Sequence, residues 1–196
     1  RAVPALLPVP GGARPADAPA ARLEHFCRRL LAPLLRALAA GTVPGGVCVF
    51  VASSFDFCQV RAHLAKAAPG VPVACLGEDA SNADVTRARS RFFNGLAKLL
   101  LLSERFYFYR RYRLRGIRRL YFYSLPECPE FFAELVGMLG DAAGAGDADA
   151  AAPARVRVHQ DELLVEPHEV PCLVSPLDHL KAERIFGTAR ARALLE

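Results

Sequence analysis

Residues 104–123 read ERFYFYRRYRLRGIRRLYFY. Eight aromatic rings and seven arginines share this stretch with one carboxylate, Glu104. A guanidinium presents five N–H donors in a planar fork, which suits phosphate and carboxylate oxygens. Aromatic faces beside such groups can stack on nucleic-acid bases. The charge begins earlier in the chain. From Arg87 to Arg119, eleven Lys/Arg stand against Glu104, a local balance of +10, while the whole chain carries +5. The rest of the chain is therefore acidic. A concentrated positive segment on an acidic body points to a polyanion or to an acidic protein partner. A solvated basic face with no partner is the plain alternative.

Arg110, Arg111, Arg113, Arg115, Arg118 and Arg119 cannot all be buried, because an unpaired buried charge costs several kcal/mol. They are expected at the surface, where they can meet a phosphate backbone. The candidate RNA-binding set is Arg87, Arg89, Arg105, Arg110, Arg111, Arg113, Arg115 and Arg118, with stacking on Tyr107 or Tyr112. The rings divide differently. In a strand, Leu120 and Phe122 face one side, and Tyr121 and Tyr123 the other. Phe106 and Tyr109 suit a short helical turn. Half or more of the rings are expected in the core.

Other chemistries find no support. The chain has no G-x-x-x-x-G-K-[ST] loop and no H-E-x-x-H pair, so no cofactor, metal or small-molecule substrate is expected. His25, His63, His159, His168 and His179 share no ligand spacing. Ser53, Ser54 and Ser103 have no nearby histidine partner, which leaves a nucleophile weakly supported. Asp56 and Asp178 read as helix caps. Cys27, Cys48, Cys58, Cys75, Cys128 and Cys172 lack C-x-x-C spacing and read as small hydrophobes in a reducing compartment. No apolar run approaches 18 residues, so no membrane-spanning helix and no membrane partner are expected. The chain starts at Arg1 rather than Met and is expected to be part of something longer.

A regular set of elements must position these groups. Residues 1–20 are rich in Pro, Ala and Gly and read as a disordered or extended tail. Leu23, Phe26, Leu30, Leu31, Leu34, Leu35 and Leu38 predict an amphipathic helix over 21–40, kinked by Pro33. Strands are predicted at 47–51, 71–76, 98–103, 117–123 and 171–175. Helices are predicted at about 55–67, from Ser81 to about Asn94, at 129–139, and from Ser175 to Gly187. Residues 140–170 read as a flexible insertion, with a hairpin as one option within 155–170. Alternating strand and helix implies parallel crossovers, hence an α/β fold: an open parallel sheet with helices on both faces. Ligands in such sheets meet the carboxyl ends of the strands. The turns bearing Ser53, Ser81, Ser103 and Ser124 are expected there, with Arg87, Arg105 and the 110–119 cluster gathered near the same edge.

Three stretches, VFVASSFDFCQVRAHL (49–64), the whole of 81–139 and CLVSPLDHLKAERIFG (172–187), resemble the C-terminal part of the digestive organ expansion factor family. The resemblance covers roughly 47–139 and 171–187. That family implies a nuclear, nucleolar protein of the small-subunit processome. Its implied partners are pre-rRNA, the U3 snoRNA particle and other processome proteins. The implied function is a non-enzymatic role in ribosome biogenesis and 18S rRNA maturation. The implied fold is RecA-like, similar to the second domain of DEAD-box helicases, over 41–139 and 171–190. VCVFVAS resembles the helicase motif IV strand, FFNGLAKLLLLSE their F-x-x-G segment, and RGI followed by a strand and LP the end of motif V. Two departures stand out. Arg118 occupies the place of the aspartate that contacts the nucleotide ribose in helicases. EFFAELVGML has no arginine where helicases carry their finger, a group worth a large factor in phosphoryl transfer. A protein-only interaction module and half of an active helicase remain the alternatives.

Overall fold

Runs of Val, Phe and Leu without polar alternation need cover on both faces. In the computed structural model, which describes residues 3–8, 17–67, 69–140 and 169–195, they have it. Strands β2 (Val47–Val51), β4 (Leu99–Ser103) and β6 (Glu169–Val174) are buried at every position. With β1 (Val3–Pro8), β3 (Val73–Leu76) and β5 (Arg119–Phe122) they form a six-stranded sheet in the order β1-β6-β5-β2-β4-β3. All the pairings are parallel.

The sheet separates two cores. On one face pack α1 (Ala18–His25), a π-helical turn Phe26–Leu31, α2 (Ala32–Ala40) and α3 (Ser54–Ala67). On the other pack α4 (Asn82–Phe93), α5 (Glu104–Arg110), α6 (Pro129–Gly137), α7 (His179–Phe186) and α8 (Thr188–Leu195). Leu120 and Phe122 enter the second core, and Tyr121 and Tyr123 the first, as strand alternation requires. Phe122 stacks on Phe132 at 4.8 Å, and Tyr123 meets the edge of Phe26 at 5.1 Å. Contacts of this kind add about 0.5–1.5 kcal/mol beyond area burial.

The structure departs from expectation in four places. Val3–Pro8, assigned by composition to a tail, pairs with β6 as an outer strand. Proline is tolerated there because an edge strand needs hydrogen bonds on one side only. The first helix starts at Ala18, and its irregularity falls in the π turn upstream of Pro33, where the Ala32 N–H reaches back to Cys27. A proline has no N–H and crowds the carbonyl four residues earlier, and the wide turn absorbs both effects. Glu169 and Val170, placed in the insertion, begin β6; residues 141–168 lie outside the described set. Gly187 ends α7, but a further helix, α8, follows at once.

Candidate nucleic-acid interface

The connection from β4 to β5 must cross β2, and it is built unlike the others. It opens with the short helix α5. The Ser103 hydroxyl caps it by accepting the Phe106 N–H at 3.1 Å. Arg111, with φ at +44°, ends it in the left-handed region. From Arg111 to Arg118 the chain has no regular helix or strand, and it returns to the start of β5. Tyr112 is half-buried and Leu114 and Ile117 are buried, while Arg113, Arg115 and Arg118 are exposed. Arg113 and Arg115 are exposed on either side of buried Leu114 and form a short cationic row.

Two carboxylates hold this crossover in place. Glu104 is only 5% exposed, and it accepts the N–H groups of Glu127 and Cys128 at 2.9–3.0 Å. It thereby ties the start of α5 to the loop before α6. Burial raises its carboxyl above the ordinary value, against the pull of those two N–H groups. Glu134, on α6, accepts the Tyr107 hydroxyl at 2.8 Å and pairs with Arg111. The Tyr107 hydrogen bond, followed by Arg111, holds the Glu134 carboxyl below its ordinary value. The Arg111 guanidinium also lies 4.6 Å from the Phe131 ring centre.

Between α4 and the extended segment lies a cleft of about 400 Å³. Thr86, Arg89, Ser90 and Phe93 line it from α4, Arg113 and Arg115 from the crossover, and none of the described lining residues is acidic. Arg89 is held by its stack on Tyr112, 4.4 Å from the ring centre. Near α5 is a smaller notch of about 310 Å³, lined by Arg105, Tyr109 and Arg110 but also by Glu78. The acid makes it the poorer anion site.

The structure does not gather the nominated arginines at one edge. Arg105 and Arg110 lie on α5, at the carboxyl edge. Arg89, Arg113 and Arg115 meet at the cleft on one face. Arg118 lies at the opposite, amino edge, where its N–H donates to the Gly46 carbonyl at 2.8 Å just before β2. Three of the eight are already neutralised: Arg87 by Asp84, Arg105 by Glu78 and Arg111 by Glu134. Among the described residues, no carboxylate pairs with Arg110, Arg115 or Arg118.

The expected stacking rings also change. Tyr107 is buried edge-on against Phe131, and half-buried Tyr112 meets Phe106 at a tilt and carries the Arg89 guanidinium over its ring. Tyr109, expected to pack inside α5, is 69% exposed, beside Phe108 at 53%. Phe93, 59% exposed at the cleft, was missed by the sequence reading. Its signal is the Phe92–Phe93 pair: successive helical residues point about 100° apart, so with Phe92 in the core, Phe93 faces out.

The serines of the carboxyl edge serve the backbone. Ser53, Ser81 and Ser103 accept capping N–H groups, and Ser124 accepts the Ala52 N–H at 3.2 Å. Ser175 and Asp178 form a capping box that Arg22 joins from α1. Residues 11–196 match the model of the Utp25 C-terminal domain. The chain belongs to this family.

Relatives carry the same signal. The chain is 37% identical over 188 residues to U3 small nucleolar RNA-associated protein 25 of Arthroderma benhamiae, covering 93% of this chain and 24% of the relative. It is 36% identical over 175 residues to Protein NUCLEOLAR FACTOR 1 of Arabidopsis thaliana, covering 89% and 19%. It thus spans about a fifth to a quarter of the length of these curated relatives. Among solved structures, the C-terminal domain of the DEAD-box protein Dbp5 superposes with a TM-score of 0.51 at 15% identity, over 88% of this chain and 76% of that one. The Utp25 C-terminal domain described here therefore has a RecA-like fold. The family read from the sequence and the family found by comparison agree.

Proposed function

We propose that this domain is a non-enzymatic, helicase-like scaffold within a nucleolar ribosome-biogenesis factor of the small-subunit processome. It contacts pre-rRNA or the U3 snoRNA particle during 18S rRNA maturation. The names of the relatives support the setting. One observation carries the RNA reading: the β4–β5 crossover lays Arg113 and Arg115 opposite Arg89 across a cleft whose described lining residues include no acid. Phosphate contacts by such groups release counterions and give salt-dependent affinity. The non-enzymatic reading rests on the carboxyl edge, where serines and carboxylates serve as caps, and on α6, whose residues 129–137 include no arginine.

The test is binding of single-stranded RNA to the 196-residue chain and to a variant with Arg89, Arg113 and Arg115 each changed to Glu. The reversed chain is expected to bind at least tenfold more weakly, with a flatter salt dependence. Equal binding by both chains would remove the cleft from the RNA reading. RNA-stimulated ATP hydrolysis by the full-length protein would overturn the non-enzymatic reading. A protein neighbour is a second reading. Phe55, Leu177 and Leu180 favour it: all three are exposed on elements that leave the carboxyl edge.

A further inference from the structure

We propose that the cleft between α4 and the crossover is a base-binding subsite that seats one unstacked nucleotide of a single-stranded RNA on the Phe93 ring. The proposal rests on the RNA reading above and deepens it. Three features distinguish the cleft from a merely basic patch. It pairs an exposed aromatic face with cationic groups: Phe93 is 59% exposed on the same lining as Arg89, Arg113 and Arg115. A phosphate needs only the arginines; a ring left open to water beside them suits a ligand that is both aromatic and anionic. The volume, about 400 Å³, falls in the ~300–1,000 Å³ range of small-ligand sites.

The walls are also prepared. Arg89 is stacked on Tyr112, so it loses less freedom when a ligand arrives. Gly116, with φ at +90°, passes beside Phe93; a Cβ there would lie 3.5 Å from the Phe93 Cα and 3.9 Å from its ring. The glycine keeps one flank of that ring clear. Ser90 accepts the Asn94 side-chain amide at 3.3 Å, which leaves its own hydroxyl hydrogen for a base or sugar acceptor. An acidic peptide would engage the arginines equally well but has no general use for the ring. An unpaired nucleotide uses both.

The chain has no tryptophan, so Phe93→Trp introduces a single reporter without background. The emission of the F93W chain is expected to be quenched by a single-stranded RNA oligonucleotide and not by an abasic strand of equal charge. Phe93→Ala should weaken RNA binding by roughly 5- to 150-fold, the range of one base stack, and leave the salt slope unchanged. Arg115→Gln should instead reduce the slope by about 0.7. If RNA binds with the expected salt slope but neither quenches F93W nor weakens with F93A, the base subsite is refuted and the RNA reading stands. If RNA fails to bind even at low salt while an acidic peptide quenches F93W, both fall in favour of a protein partner. If uridine monophosphate quenches with the same affinity as the oligonucleotide, the cleft is a mononucleotide site and the strand proposal is wrong.

Discussion

Gly46 joins the fold to the proposed interface, and its replacement by alanine measures that link. Its φ is +91°, a left-handed conformation, and an added Cβ would fall 2.6 Å from the Gly116 carbonyl and 3.0 Å from Arg118 Cγ. The first obstacle is backbone, so the crossover itself must shift. Gly41 is the natural control: its φ is +75°, and nothing lies within 4 Å of an added Cβ. Placing a side chain in the left-handed region costs about 1–2 kcal/mol, and Gly41→Ala should lose about that. Gly46→Ala adds overpacking of about 1–3 kcal/mol. At about 2–4 °C per kcal/mol for a chain of this size, Gly46→Ala should melt roughly 2–12 °C below Gly41→Ala. Thermal unfolding followed by circular dichroism reads this directly. The displaced crossover should also weaken RNA binding in G46A and not in G41A. Equal melting temperatures for the two variants would refute the reasoning, because the contact between Gly46 and Gly116 would then carry no weight.

Two further outcomes follow from buried polar groups. Tyr123 is fully buried, and its hydroxyl has no hydrogen-bond partner among the described residues. A buried unsatisfied hydroxyl costs about 1–3 kcal/mol, so Tyr123→Phe should leave the melting temperature unchanged or raise it; a fall of several degrees would mean the hydroxyl is bonded. Glu104 has its carboxyl raised above the ordinary 4.5, chiefly by burial. The folded chain therefore holds this proton more tightly than the unfolded chain, so the contribution of Glu104 to stability is full below that value and is lost as pH rises through the raised one. Urea midpoints of the parent and of Glu104→Gln, measured from pH 4 to 7, should show the parent's relative stability falling with pH; a rise would contradict the burial argument.

Much of the sheet was legible because its strands are written as apolar runs. VCVFV and LLLLS read as strands covered on both faces, and serines at 53, 81 and 175 mark the helices that follow. The split of Leu120 and Phe122 from Tyr121 and Tyr123 follows from strand alternation alone. β1 was not legible: an edge strand tolerates proline, and VPALLP resembles tail composition. The site was half legible. Arginine density showed that a basic surface exists, but charge partners distant in sequence decide which arginines are free. Arg105 meets Glu78 and Arg111 meets Glu134 only after the chain folds. Arg118 lies at the amino edge because it directly precedes β5 and a parallel crossover returns the chain to that edge, which a strand at 117–123 joined by parallel crossovers already implies.

The central claim is direct RNA contact by the arginines that line the cleft between α4 and the crossover. The affinity of the 196-residue chain for single-stranded RNA, measured across salt concentrations, tests it most directly. Contacts by Arg89, Arg113 and Arg115 alone, at about −0.7 per phosphate on a single strand, predict a slope of log K against log salt of about −2 or steeper. Absence of binding at low salt, or binding that does not change with salt, would contradict the account.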